Sequence, residues 1–256
     1  MLVDCGDETV QIGDGGDHLT RCLGQQPDQA LPQQHRVVGY HDPHSRLTVV
    51  ATRYAAVLFD LLTGLLDSWS LWDAVARDEG IGRRWRTAYL RRMYAAGRYW
   101  PCEELVAEAA RDQDLDPALA GQLVARWDEL RPWPEAVAVL TDLAGSVPLG
   151  VVTNCSNELG RRAAERVGVP FDVVVTAERA GAYKPRPEPY HYALEELAVA
   201  PEAVLFVAGS PNDLIGAGAA GMPVWWHNRV HLDRGAAPPP IAEHDTLRPL
   251  TAAVLG

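Results

Sequence analysis

Two patterns of apolar residues divide the chain. From about residue 135 onward, short unbroken apolar runs alternate with longer stretches whose apolar positions recur every three or four residues. The runs 149–152, 171–175, 204–208 and 224–226 read as strands buried on both faces. The stretches 135–143, 156–167, 187–197 and 211–220 read as helices, the third starting at Pro187 or Glu188. Such alternation implies βαβ units and a parallel sheet. One earlier run, 55–59, ends directly at Asp60. The segment between holds no strand candidate. Asp67-Ser68 offers a helix cap before Trp69, Trp72 and Val75. A second helix is expected over 84–96, where Trp85, Tyr89 and Met93 lie four apart and share one face. A third is expected over 103–110, and a fourth over 116–130 with Pro117 just inside its start.

The expected architecture is therefore an α/β core of 54–66 plus 133–256, with 67–132 as an inserted all-helical cap. Residues 1–53 fit neither part. They are rich in Gly, Asp, Gln and His and hold only two short apolar pairs, so they read as a floppy leader. His35, His41 and His44 within it read as scattered histidines rather than a metal tail.

Composition narrows the function classes. A formal charge of −11 argues against nucleic acid and anionic membrane as partners. Four separated cysteines form no CxxC pair, which fits reduced thiols and a cytoplasmic protein. No apolar run approaches the length of a membrane span.

The candidate chemistry gathers at strand ends, where ligands bind in open parallel sheets. Asp60 ends the first strand, and a carboxylate there is costly unless hydrogen-bonded or functional. Gly64 in the following turn reads as a residue chosen for a special dihedral. Thr153 and Asn154 end the second strand, where a hydroxyl, an amide and a helix start can hold an anion, or merely cap the helix. Lys184 sits in a loop stiffened by Pro185 and Pro187. Asp213 lies in the first turn of a helix that Ser210 is expected to cap. Six arginines cluster over 83–98 of the cap, Arg83, Arg84, Arg86, Arg91, Arg92 and Arg98. Most are expected to face solvent, with one turned to an acidic cleft.

Asp60, Thr153, Lys184 and Asp213 in this order, with an all-helical insert after the first, resemble the haloacid dehalogenase superfamily over about 54–256. Its architecture is a three-layer Rossmann-like core with a cap. Trp85-Arg86-Thr87-Ala88-Tyr89-Leu90, Gly97-Arg98-Tyr99, Tyr183-Lys184-Pro185 and Trp226-His227-Asn228-Arg229 are similar to the L-2-haloacid dehalogenases. The resemblance implies that Asp60 is the nucleophile and Arg86 receives the halide. Thr153, Asn154, Thr63 and Ser210 would hold substrate, Lys184 would support the carboxylates, Tyr190 would line the site, and Asp213 would be the second carboxylate. It implies a small anionic organic substrate, no cofactor, and is compatible with a homodimer.

The departures from both branches are specific. Phosphatases of the superfamily want acids where Leu62 and Gly209 stand, which leaves magnesium only Asp60 and Asp213. The dehalogenase pattern expects a threonine at Gly64, and a serine and an asparagine at Ala208 and Ser210. Three readings stand: a dehalogenase giving a D-2-hydroxy acid through an aspartyl ester, a magnesium-dependent small-molecule phosphatase, and a non-catalytic small-anion binding protein.

Overall fold

The computed structural model describes residues 52–256. The leader reading lies outside the described residues except at Thr52 and Arg53. The strands are β1 (Ala56–Phe59), β2 (Leu149–Thr153), β3 (Val173–Thr176), β4 (Val204–Ala208), β5 (Val224–His227) and β6 (Ala242–His244). They form one sheet in the order β3-β2-β1-β4-β5-β6, and every neighbouring pair is parallel. Alternate residues sort to its two faces, as strand geometry requires. Val57 and Phe59 pack with Val151, Leu205 and Val207, while Ala56 and Leu58 pack with Val175, Phe206 and Trp226. Burial on both sides explains why these strands read as unbroken apolar runs. β6 breaks that rule. Its three residues are half-buried or exposed, and only pairing with β5 defines it.

The helices are α1 (Ser68–Ala76), α2 (Glu79–Ala95), α3 (Cys102–Arg111), α4 (Leu119–Ala125), α5 (Ala136–Ala144), α6 (Asn157–Val167), α7 (Ala177–Ala180), α8 (Pro187–Leu197), α9 (Pro211–Ala219) and α10 (Leu250–Leu255). Asp67 caps α1 as expected, accepting from the Ser70 N–H at 3.1 Å. α2 starts before the expected 84 because Asp78 accepts from the Ile81 N–H at 2.8 Å. That cap offsets the two glycines in its first turn. The expected fourth helix is shorter than 116–130. After α4 the chain tightens into a 3-10 turn, Trp127–Glu129, whose Trp127 indole N–H donates to the Leu159 carbonyl of α6 at 2.9 Å. No local pattern encodes that tertiary bond. α7 and α10 lie outside the expected elements.

α1–α4 form a helical cap over a Rossmann-like parallel core. The connections into and out of α1–α4 lie side by side through an antiparallel bridge between Leu66 and Pro132. The bonds Asp67 N–H to Arg131 O and Trp133 N–H to Leu65 O, both 2.9 Å, flank it. Trp72 packs on Trp85 and Tyr89, with ring centroids 4.5 and 5.4 Å away, which gives α1 and α2 a shared aromatic core. No helix among the described residues is long and apolar enough to cross a membrane.

Candidate active site

The strand order reverses direction between β1 and β4, and a crevice opens at such a point beyond the strand ends. Asp60 follows β1, and Asp213 lies in the first turn of α9 after β4. Both are buried. Lys184 joins them, its Nζ 2.8 Å from Asp60 Oδ1 and 2.9 Å from Asp213 Oδ1. The other Asp60 oxygen, Oδ2, accepts from the backbone N–H groups of Thr63 (3.1 Å) and Gly64 (3.0 Å). The side chain is thus fixed through both oxygens.

The environment drives the two carboxylates apart. Burial pushes Asp60 up, but the charge and hydrogen bond of Lys184, with the two backbone N–H groups, outweigh it and hold Asp60 below the usual range. Burial raises Asp213 and, despite Lys184, the neighbouring negative Asp60 helps to keep it high. Burial opposes the charge of Lys184, yet the two carboxylates hold its ammonium above the ordinary lysine range. One carboxylate poised to stay ionised beside one poised to take a proton is the pattern of paired acid and base roles.

The roof of the crevice comes from the cap. Of the ten arginines in 67–132 only Arg86 is buried. Its guanidinium stacks 3.8 Å from the Trp69 ring centroid, and Nη2 donates to Thr63 Oγ1 at 3.0 Å. Nη1 is buried with no hydrogen-bond partner. Burial lowers the Arg86 pKa to about 10, which leaves it charged at neutral pH. A cavity of about 90 Å³ lies between this roof and the carboxylates, with Leu62, Trp72 and Met93 among its apolar walls.

The other expected site residues divide. Thr63, Thr153, Asn154 and Ser210 line the same cavity. Thr153 is buried with its hydroxyl 3.4 Å from Cys155 Sγ. Asn154 has a second task, because its Oδ1 accepts from the Lys184 N–H at 2.8 Å and its Nδ2 donates to the Lys184 carbonyl at 3.2 Å. Its amide therefore clamps the lysine loop instead of being free for substrate. Tyr190 does not line the cavity; it lies behind Asp213 and donates to Oδ1 at 3.2 Å. Ser210 makes no capping bond to α9, contrary to expectation, and donates to Asp213 Oδ2 at 3.1 Å.

The start of α6 is also less open than expected. Ser156 N–H donates to Cys102 Sγ, Asn157 N–H to Glu178, and Leu159 N–H to the Ser156 hydroxyl. The Ser156 bond is an ordinary local cap, but local sequence spacing gave no sign of the long-range partners Cys102 and Glu178.

Gly64 departs from expectation too. It does not take a positive φ; what it supplies is space, since a Cβ there would lie 2.3 Å from the Asp60 carbonyl oxygen. The loop therefore presents its hydroxyl one residue earlier, at Thr63, where Arg86 uses it. A Cβ at Gly209 would lie 2.3 Å from Asp60 Oδ2. An acidic side chain at that place does not fit beside Asp60 as held here. Magnesium, which the phosphatase branch implies, does not fit this donor set. It would find two carboxylates already bound to an ammonium, and no group of three or more His, Cys, Asp or Glu converges among the described residues.

A buried strand-end aspartate under a helical cap, paired with a lysine and a second carboxylate, defines a class of hydrolase. A family model described as haloacid dehalogenase-like hydrolase matches residues 54–221, and the chain belongs to that family. Haloacetate dehalogenase H-2 of Moraxella sp. (strain B) is 30% identical over 191 residues, 68% of this chain and 85% of that protein. (S)-2-haloacid dehalogenase H-109 of Pseudomonas putida is 29% identical over 202 residues, 71% of this chain and 90% of that protein. The structure of L-2-haloacid dehalogenase from Xanthobacter autotrophicus with chloropropionic acid covalently bound shares the fold. It matches with a TM-score of 0.69 and 22% identity, over 78% of this chain and 97% of that one.

Proposed function

We propose that the protein hydrolyses the carbon–halogen bond of a small L-2-haloacid without metal, with 67–132 acting as the cap domain over the reacting centre. The observation that carries this is the setting of Asp60. Its carboxylate is oriented by Lys184, Thr63 and Gly64, faces a largely apolar cavity, and has the unpartnered Nη1 of Arg86 in the roof. A carboxylate is a weak nucleophile in water, so desolvation and fixed geometry are what it needs. A cavity of about 90 Å³ suits a small organic substrate.

An Asp60 oxygen attacks C2 from the side opposite the halogen. The C–O bond forms as the carbon–halogen bond breaks, the carbon inverts, and halide leaves toward Arg86. This covalent route splits one hard displacement into two easier steps. Arg86 stabilises charge where it develops. Thr153, which lines the cavity, receives the substrate carboxylate. Asp213, raised and close by, then takes a proton from water, which attacks the Asp60 ester carbonyl. The tetrahedral intermediate then collapses: the bond between the Asp60 carbonyl carbon and the product oxygen breaks, the proton held by Asp213 passes to that oxygen, the second proton of the water is released to solvent, and a D-2-hydroxy acid leaves with Asp60 again a carboxylate.

The test is halide release from L- and D-2-chloropropionate with and without EDTA, followed by one turnover in ¹⁸O-water with excess enzyme. Release from the L-acid alone, unaffected by EDTA, with heavy oxygen in the Asp60 side chain, is the expected result. Halide release abolished by EDTA and restored by magnesium would overturn the metal-free chemistry. Heavy oxygen in the first product with none in Asp60 would replace the ester by direct attack of water.

A further inference from the structure

We infer that Trp133, outside the cavity, is a positioning residue for the nucleophile and acts through a single peptide group. Its indole N–H donates to the Thr63 carbonyl at 2.9 Å. The N–H of that same peptide group belongs to Gly64 and donates to Asp60 Oδ2 at 3.0 Å. The two bonds lie in series, so each polarises the peptide in the sense that strengthens the other. The next peptide is held alike, with His227 Nδ1 2.7 Å from the Gly64 carbonyl. A carbonyl can only accept, so Nδ1 carries the proton, and burial lowers the His227 pKa in favour of that neutral form.

The indole has little freedom to turn away. The Arg229 guanidinium lies over its ring at 5.3 Å, and His227 meets it edge-on at 6.4 Å. Trp133 also directly follows Pro132 of the bridge that closes the cap connections, and its own backbone N–H is bonded to Leu65 O. The anchor of the Asp60 carboxylate is thereby tied to the joint between cap and core. This inference rests on Asp60 as the nucleophile.

Two variants and two readouts test it. Trp133→Phe removes the N–H and part of the ring, while replacement of Trp133 by benzothienylalanine keeps the ring shape and removes only the N–H. The first readout needs no substrate: titration of the Asp60 carboxyl by ¹³C NMR. The second is the single-turnover rate of ester formation on Asp60, with its KM. The expected result is a higher titration midpoint for Asp60 in both variants. Ester formation should slow about fivefold, the weight of one ordinary hydrogen bond, with KM within about twofold. An unmoved midpoint in the folded benzothienylalanine protein overturns the inference, whatever Trp133→Phe does to folding. If no haloacid forms an ester in the unsubstituted protein, the dehalogenase reading fails on its own, and the titration still decides the role of Trp133.

Discussion

Arg86 shows at the scale of one residue how burial selects a functional group. Sequence offers ten cap arginines of equal chemical standing, and the fold buries one, stacked on Trp69 with a donor left over. An unpartnered buried donor is costly and is rare without a purpose. The planar fork also matters, because one nitrogen is committed to Thr63 while another is buried without a partner. Arg86→Ala is expected to lower kcat about 10²- to 10³-fold, the range for removing one donor to developing charge. Arg86→Lys should recover only a small part, since an ammonium cannot serve both partners in this geometry. Steady-state halide release measures both. Full turnover by the two variants would remove Arg86 from the reaction.

At the scale of elements, α2 carries Arg86 and owes its start to Asp78. The Asp78→Ala change removes the bond to the Ile81 N–H and should lower stability by about 1 kcal/mol in urea unfolding. Asp78 is exposed, so kcat should stay within about twofold. A loss of kcat without loss of stability would mean that the first turn of α2 has a direct part in the site. Legibility differed among elements for physical reasons. β1, β2, β4 and β5 were visible because a strand buried on both faces must be apolar throughout. α1 and α6 were visible from period and caps, and α2 from its period alone, its Asp78 cap having been missed. β6 was not, because an edge strand of Ala242, Glu243 and His244 is defined by backbone pairing, which leaves little trace in side chains. α4 was overestimated because the bond from Trp127 to Leu159 is made across the fold.

At the scale of the whole molecule, Lys184 binds together the ends of two strands and sets the pH response. Asp213 must be ionised to accept a proton, and its pKa is raised above 3.8. Lowering the pH should therefore reduce kcat first through Asp213, with a midpoint above that ordinary aspartate value. Asp60, held below it, should remain ionised through the same window. On the alkaline side Lys184 is held above 10.5, so its deprotonation should not limit turnover below that pH. The kcat–pH profile checks both limbs. An acid limb at or below the ordinary aspartate range would exclude Asp213 as the base.

The sequence alone determined the βαβ order, the helical insert and the membership of Asp60, Thr153, Lys184 and Asp213 in one site. Each of these follows from local physics: apolar period, caps, and the convergence of parallel strand ends on one edge. Tertiary structure alone decided how those residues divide the work. It committed the amide of Asn154 to the lysine loop, placed Tyr190 behind Asp213, filled the start of α6, and made Gly64 and Gly209 matters of space around Asp60. It also brought Trp133 behind the loop that follows Asp60. Hydrogen-bond partners between residues far apart in the chain depend on how surfaces meet after packing, and no spacing along the chain records which surfaces those are.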